Sequence, residues 1–243
     1  MDEAHAQTLS LRIWRGGPDG TAGAHETYEV PARENQTVLD AVTEVQRRHA
    51  PDLAYRFACR VGVCGSCAMT VNGRPRWTCR THVQKVAQAG EITVEPLRNL
   101  PRIRDLVVDM DPFFDKWGKV GGFEGTATRD DAPAAVDPSG RERREADAAI
   151  QCINCAVCYA ACDVVSWDTD YLGPAALNRA WTLLNDPRAA NRSKVKATAL
   201  GTGGCGSCHT HGACMAACPV GLSPTRSIAG IKRRSLLDLF GGA

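Results

Sequence analysis

The sequence predicts an α+β chain of two parts, a small sheet domain followed by an all-helical one. Three observations carry that prediction. Apolar residues alternate with period two through the N-terminal part and recur with helical spacing beyond residue 140. Between these parts, residues 118–140 are rich in Gly, Ala, Asp and Pro and hold no apolar period, the composition of a connecting segment. The 12 cysteines of this 243-residue chain divide in the same way, one group in the first part and two in the second. The predicted boundaries are residues 1–112, a linker at 113–140, and 141–243.

In the first part, Thr-Leu-Ser-Leu-Arg-Ile-Trp from Thr8 to Trp14 alternates polar with apolar and reads as a strand. Gly16, Gly17, Pro18 and Gly20 supply a turn, and His25 to Val30 returns as the second strand of a hairpin. Thr37 is placed to cap a helix whose stripe of Val38, Leu39, Val42 and Val45 stops before Pro51. A cysteine-bearing loop follows, then a strand at Ala68 to Val71, a turn at Asn72-Gly73, a strand entering Cys79, and a last strand from Glu91 to Pro96. Beyond the linker the period turns helical. Arg141 to Ile150 leads into the second cysteine group, Pro174 to Leu184 carries Leu177, Ala180, Trp181 and Leu184, and Ser223 to Phe240 forms a terminal helix with Pro224 in its first turn. The cysteines of this part are expected on the loops between helices.

Cys59, Cys64, Cys67 and Cys79 read C-x4-C-x2-C-x11-C, the plant-type spacing for a [2Fe–2S] cluster. Thiolates so close in sequence must lie on one tight loop whose backbone N–H groups point at sulfur. Gly62, Gly65 and Ser66 suit such a loop, because glycine accepts positive φ and close backbone approach. With the two hairpins and their helix, this predicts a domain similar to plant-type ferredoxins, a β-grasp.

Cys152, Cys155, Cys158 and Cys162 read C-x2-C-x2-C-x3-C, and Cys205, Cys208, Cys214 and Cys218 form an altered set ending in Cys218-Pro219. Both are variants of the bacterial run for cubane clusters, so the helical part reads as a dicluster ferredoxin-like domain. In that run the last cysteine of each group ligates the other cluster. A [4Fe–4S] cluster is therefore assigned to Cys152, Cys155, Cys158 and Cys218, leaving Cys162, Cys208 and Cys214 for the third. His211 stands where a fourth thiolate is due, and three thiolates with a vacant corner suit [3Fe–4S]. Cys205, beside the flexible Gly201-Thr202-Gly203-Gly204 run, leaves a second [4Fe–4S] open as an extra ligand, as does a ring nitrogen of His211. The chain reads as an electron wire.

Other uses of cysteine fit less well. Disulfide frameworks of this density belong mostly to small secreted domains, and no signal peptide opens this chain. Structural zinc uses separated C-x2-C pairs, whereas the second group crowds four thiolates into eleven residues. Cys205-Gly206-Ser207-Cys208-His209 matches the c-type haem attachment pattern, but that use needs an exported protein and removes Cys208 from the cluster set. A formal charge of +2 with a pI near 8.0 gives no bias toward nucleic acid. No run of eighteen apolar residues occurs, so no segment reads as a membrane-spanning helix.

These residues together resemble the iron–sulfur subunit of succinate dehydrogenase and fumarate reductase. The resemblance covers nearly the whole chain: Cys59-Arg60-Val61-Gly62-Val63-Cys64-Gly65, the run from Pro101 to Met110 with Pro112-Phe113-Phe114, Cys152-Ile153-Asn154-Cys155, Gly173-Pro174-Ala175-Ala176-Leu177, and Cys218 to Arg226. It implies an electron-transfer subunit that passes single electrons from an FAD-bearing flavoprotein through three clusters to quinone at a membrane anchor. The dicarboxylate site then lies on another subunit, this chain has no catalytic residue of its own, and the complex sits peripherally on the cytoplasmic face of the inner or plasma membrane. Physiological fumarate reduction, a free multi-cluster carrier, or a thiol-coupled reductase are the rival readings.

The chain departs from the family near the third cluster. After Cys162 the family has a proline, then a serine and a tryptophan pair that help shape the quinone pocket; here the stretch is Asp163-Val164-Val165-Ser166-Trp167. Trp167 keeps the second tryptophan position and His209 the family's histidine. Trp167 is read more readily as a packing anchor than as a quinone contact, and His209 as a hydrogen-bond donor that tunes the cluster. The changed stretch, Asp163 included, implies a quinone pocket built mostly by the anchor, or a further redox centre before quinone. Lys232-Arg233-Arg234 faces anionic headgroups, the anchor, or simply solvent.

Overall fold

The computed structural model describes residues 8–18 and 22–239. Two predicted features, Gly20 in the first turn and Phe240 at the last helix end, lie outside those residues. The chain forms two compact units: Met1–Met110 with Ile153–Ala160, and Asp111–Cys152 with Ala161–Ala243.

In the first unit, β1 (Thr8–Gly16) and β2 (Gly23–Pro31) pair antiparallel along their whole length. Helix α1 (Val38–Arg48) starts where predicted. The Thr37 side chain accepts from the Asp40 amide while the Asp40 carboxylate accepts the Thr37 N–H, a reciprocal capping box. β3 (Ala68–Val71) and β4 (Arg74–Trp77) turn on Asn72 and Gly73, at φ 48° and 72°, the two positive angles a type I′ hairpin requires. After the one-turn α2 (Val83–Val86), β5 (Glu91–Glu95) enters the middle of the sheet, parallel to β1 and antiparallel to β3. The resulting order is β2-β1-β5-β3-β4. Alternate residues of β1 and β5, Leu9, Leu11, Ile13, Ile92 and Val94, pack with Val38, Val42 and Val45 of α1 in one core.

The run from Pro101 to Asp111 contains a small hairpin of β6 (Arg102–Arg104) and β7 (Val107–Val108). Its turn is pinned inward. Leu106 joins the core, and the buried Asp105 carboxylate accepts from the amides of Gly16 and Ala54, both at 2.9 Å, and from Arg15 Nε at 3.2 Å. Strands this short carry no period, which is why spacing does not reveal them.

Helix α3 (Asp111–Lys119) opens the second unit, and α4 (Arg141–Ala146) continues into a 3₁₀ turn, Asp147–Ala149. Next come α5 (Val157–Ala160), which belongs to the first unit, α6 (Asp163–Trp167), α7 (Pro174–Asn185), α8 (Arg192–Leu200), α9 (Ala213–Ala217) and α10 (Pro224–Leu239). Residues 121–140 hold neither helix nor strand and are mostly exposed. α7 is the axis of this unit: Leu177 and Ala180 are fully buried, and a Cβ at Gly230 of α10 would lie 2.7 Å from the Trp181 ring. Buried Asn178 donates to the Ala148 carbonyl at 2.9 Å and accepts from the Ser227 hydroxyl at 2.6 Å, tying α10 and the turn before Cys152 to α7. Two cysteines depart from the loop placement expected of them, Cys158 lying within α5 and Cys214 within α9. Among the described residues no helix is long and apolar enough to cross a membrane.

Candidate metal centres

The loop from Cys59 to Cys67 is wound tightly, with Arg60, Gly62 and Gly65 at φ 59°, 79° and 72°. That winding turns backbone donors toward sulfur. The amides of Val61 and Val63 each lie 3.4 Å from Cys59 Sγ, the Cys59 amide 3.5 Å from Cys64 Sγ, and the Cys79 amide 3.5 Å from Cys67 Sγ. The Cys59 thiol is lowered to about 6, first by the Val63 amide and then by the Cys64 hydrogen bond. Cys79 moves the other way, to about 12, because it is buried, hydrogen-bonded to Cys67, and close to the charges of Cys67 and Cys59. The four thiols thus form one interacting group. Gly65 is closely covered: a Cβ there would lie 2.7 Å from the Cys155 Cβ within the same unit. Val61 and Val63 project outward, 61% and 65% exposed.

Of the second set, Cys155 and Cys158 belong to the first unit and Cys152 and Cys218 to the second. Asn154 and Ala156, flanking Cys155, take φ 53° and 57°, so the backbone winds here as it does at the first centre. Cys218 Sγ accepts from the Leu222 amide at 3.3 Å.

The third set converges inside the second unit. Burial raises the Cys162 thiol, which also feels the charges of Cys214 and Cys208, while the amides of Val165 and Val164 donate to it. Burial likewise raises Cys214, whose sulfur pairs with the Thr225 hydroxyl at 3.2 Å. Cys208 Sγ accepts from the Thr210 amide at 3.4 Å. Tyr171, which the sequence reading passed over, is buried, and its hydroxyl is raised first by burial and then by the charges of Cys208 and Cys162, with Cys214 also acting on it. No motif marks it, since a single tyrosine in a loop carries no spacing.

The remaining candidates separate clearly. Cys205 is buried in a 3₁₀ turn, Cys205–Ser207, where its neighbours in charge are Lys232 and Cys208. The His211 ring accepts the Ala213 amide at 3.4 Å at the start of α9. Trp167 is 63% exposed and stands edge-on to His209, at 6.3 Å between ring centres, so it is not a core packing anchor. Asp163 is exposed in the first turn of α6.

Among the described residues no group of His, Cys, Asp or Glu closes around a single ion position. A lone zinc holds its thiolates about 2.3 Å from one centre, whereas cluster thiolates each bind a separate iron. Thiols grouped in this way, with N–H groups donating to their sulfurs, fit iron–sulfur clusters.

Residues 10–115 match the 2Fe-2S iron-sulfur cluster binding domain, and residues 151–223 match the 4Fe-4S dicluster domain. The chain is thus a multi-cluster iron–sulfur protein, α+β in class, with its ferredoxin-like sheet domain first. It is 40% identical over 215 residues to a fumarate reductase iron-sulfur subunit of Mycobacterium tuberculosis, covering 86% of this chain and 84% of that one. It is 33% identical to the mitochondrial succinate dehydrogenase [ubiquinone] iron-sulfur subunit 1 of Oryza sativa, covering 96% and 84%. A solved chain of the Mycobacterium smegmatis Sdh1 complex in the apo form superposes with a TM-score of 0.85 at 29% identity, covering 96% and 97%. The chain belongs to the iron–sulfur subunits of the succinate dehydrogenase and fumarate reductase family, electron-transfer components of an oxidoreductase complex.

Proposed function

We propose that this subunit relays single electrons between a flavoprotein subunit carrying FAD and a membrane anchor that binds quinone. Its three centres are held by Cys59, Cys64, Cys67 and Cys79, by Cys152, Cys155, Cys158 and Cys218, and by Cys162, Cys208 and Cys214. The observation that carries this reading is the convergence of three thiols, Cys162, Cys208 and Cys214, in the second unit. When bound, [2Fe–2S], [4Fe–4S] and [3Fe–4S] groups each exchange one electron at a time.

The chain's own residues position the thiolates and supply donors to sulfur. Val61 and Val63 serve Cys59, Thr210 serves Cys208, and Leu222 serves Cys218. Engagement of His211 with the Ala213 amide, and of Cys205 with its own turn, supports a third centre of three thiolates. The exposed pair of Trp167 and His209, with Asp163, supports a quinone-facing edge built largely by the anchor. The same relay serves succinate oxidation and fumarate reduction. In the cell it belongs to a complex at the cytoplasmic face of the plasma membrane.

The test is purification of the intact complex with EPR of the oxidised and reduced states. A flavoprotein and hydrophobic subunits are expected to co-purify, and Cys214→Ser is expected to abolish a three-iron signal alone. A cluster-loaded monomer with no such partners would overturn the reading.

A further inference from the structure

We infer that Thr225 is a positioning residue for the third centre, its hydroxyl donating a hydrogen bond to the Cys214 sulfur and so raising that centre's reduction potential. The inference rests on the reading that Cys162, Cys208 and Cys214 hold the centre.

Thr225 stands in the first turn of α10, and its Oγ1 lies 3.2 Å from Cys214 Sγ in α9. Either atom can donate while Cys214 is a thiol. A sulfur that binds iron is a thiolate and has lost its proton, so the hydrogen between the two atoms is then the hydroxyl's. Ligand chemistry thus fixes the direction of the bond, from oxygen to sulfur. Cys214 is 7% exposed, which leaves water little access to take the hydroxyl's place.

The neighbours of Thr225 hold it on that sulfur. The Ser223 hydroxyl donates to Met215 Sδ at 3.2 Å, tying the start of α10 to the residue after Cys214. The same oxygen accepts the Arg226 amide at 3.4 Å, closing the first turn of the helix around Thr225. Buried Pro224 fixes the backbone angle just before it, and two residues on, the Ser227 hydroxyl donates to Asn178 of α7 at 2.6 Å. A β-branched side chain on a backbone so held has few rotamers open to it, and the hydroxyl–sulfur contact is a fixed part of the fold.

Reduction adds negative charge to a cluster and its thiolates. A donor aimed at one of those sulfurs favours the reduced state, and hydrogen bonds to sulfur are among the factors that set cluster potentials. Burial strengthens the effect, because a low local dielectric screens it less. Unlike the amides that serve Cys208 and Cys218, this donor is removed by a single side-chain change.

The test is Thr225→Val in the complete complex, which keeps the branched shape and loses the hydroxyl, with the potentials of all three centres measured by EPR. The expected result is a third centre about tenfold harder to reduce, about 59 mV lower for one electron, with iron and sulfide content unchanged and the other two centres unmoved. Thr225→Ser, which restores a hydroxyl, is expected to return the potential to that of the parent. An unchanged or raised potential in Thr225→Val, or an equal fall in Thr225→Ser, overturns the inference. Cys214→Ser runs beside them: if it keeps the third centre the ligand reading fails, and if it loses the centre while Thr225→Val leaves the potential unchanged, this inference alone is overturned. Should Thr225→Val fail to load the centre, Thr225→Ala takes its place, and equal potentials for Thr225→Ala and Thr225→Ser overturn the inference.

Discussion

At Cys59 the sulfur is met by two backbone amides on a loop whose valines face outward, whereas at Cys214 the sulfur pairs with the side-chain hydroxyl of Thr225 in buried surroundings. The first arrangement is written into local winding, and its donors exist whatever side chains the loop carries. The second depends on a side chain brought from α10. A centre built from backbone is robust to substitution around it, while one built from side chains is tunable by single changes.

The largest expected effect breaks both arrangements at their root. Cys59→Ser and Cys208→Ser should each remove one centre while leaving the others, read as loss of a single EPR species. Cys205→Ser should remove none, since Cys205 lies outside both ligand groups; loss of the third centre in that variant would contradict the three-thiolate assignment.

A smaller effect comes from Gly65→Ala. The residue holds φ 72° and an added Cβ would press on Cys155, so strain of about 1–3 kcal/mol is expected. Lower iron loading in the first unit, with the third centre intact, would separate the two regions; equal loss at all three centres would show that they are not independent.

Asp105→Ala probes the frame behind the first centre. It would strand two amides and remove the partner of Arg15 Nε, while the guanidinium keeps Asp52 and Tyr28, costing about 2–3 kcal/mol, measurable as a fall in melting temperature. Its counterpart in the second unit is Asp186, whose carboxyl is held below its ordinary value chiefly by the hydrogen bond from Arg188. Because the folded value is the lower one, the stabilisation is present above the unfolded carboxylate range, roughly pH 4, and fades as pH falls through the folded value. Asp186→Asn should therefore flatten the acid limb of a melting-temperature profile, the mildest of these effects.

Legibility follows the same division. The strands, the Thr37 cap, the Asn72-Gly73 turn and the first cysteine loop were readable because each is dictated by local period, capping chemistry or winding. The hairpin around Asp105 and helices α3 and α8 were missed. Asp105 is held by residues 51 and 89 positions away, and such pairing leaves no mark on spacing. α8 buries only Val195 and Ala199, too narrow a stripe to read as a period. Around the third centre, spacing named the thiols but not Tyr171, and it allowed Trp167 a packing role that its exposure rules out.

The close approach of Gly65 to Cys155 has a consequence for conduction. Electronic coupling between two redox groups weakens steeply with every gap an electron must cross without bonded or touching atoms. Where the first thiol loop rests directly on the backbone of the next motif, no solvent layer intervenes, and the width of that junction is set by the absence of one methyl group. A chain whose task is transmission has its spacing fixed there by an atom it lacks.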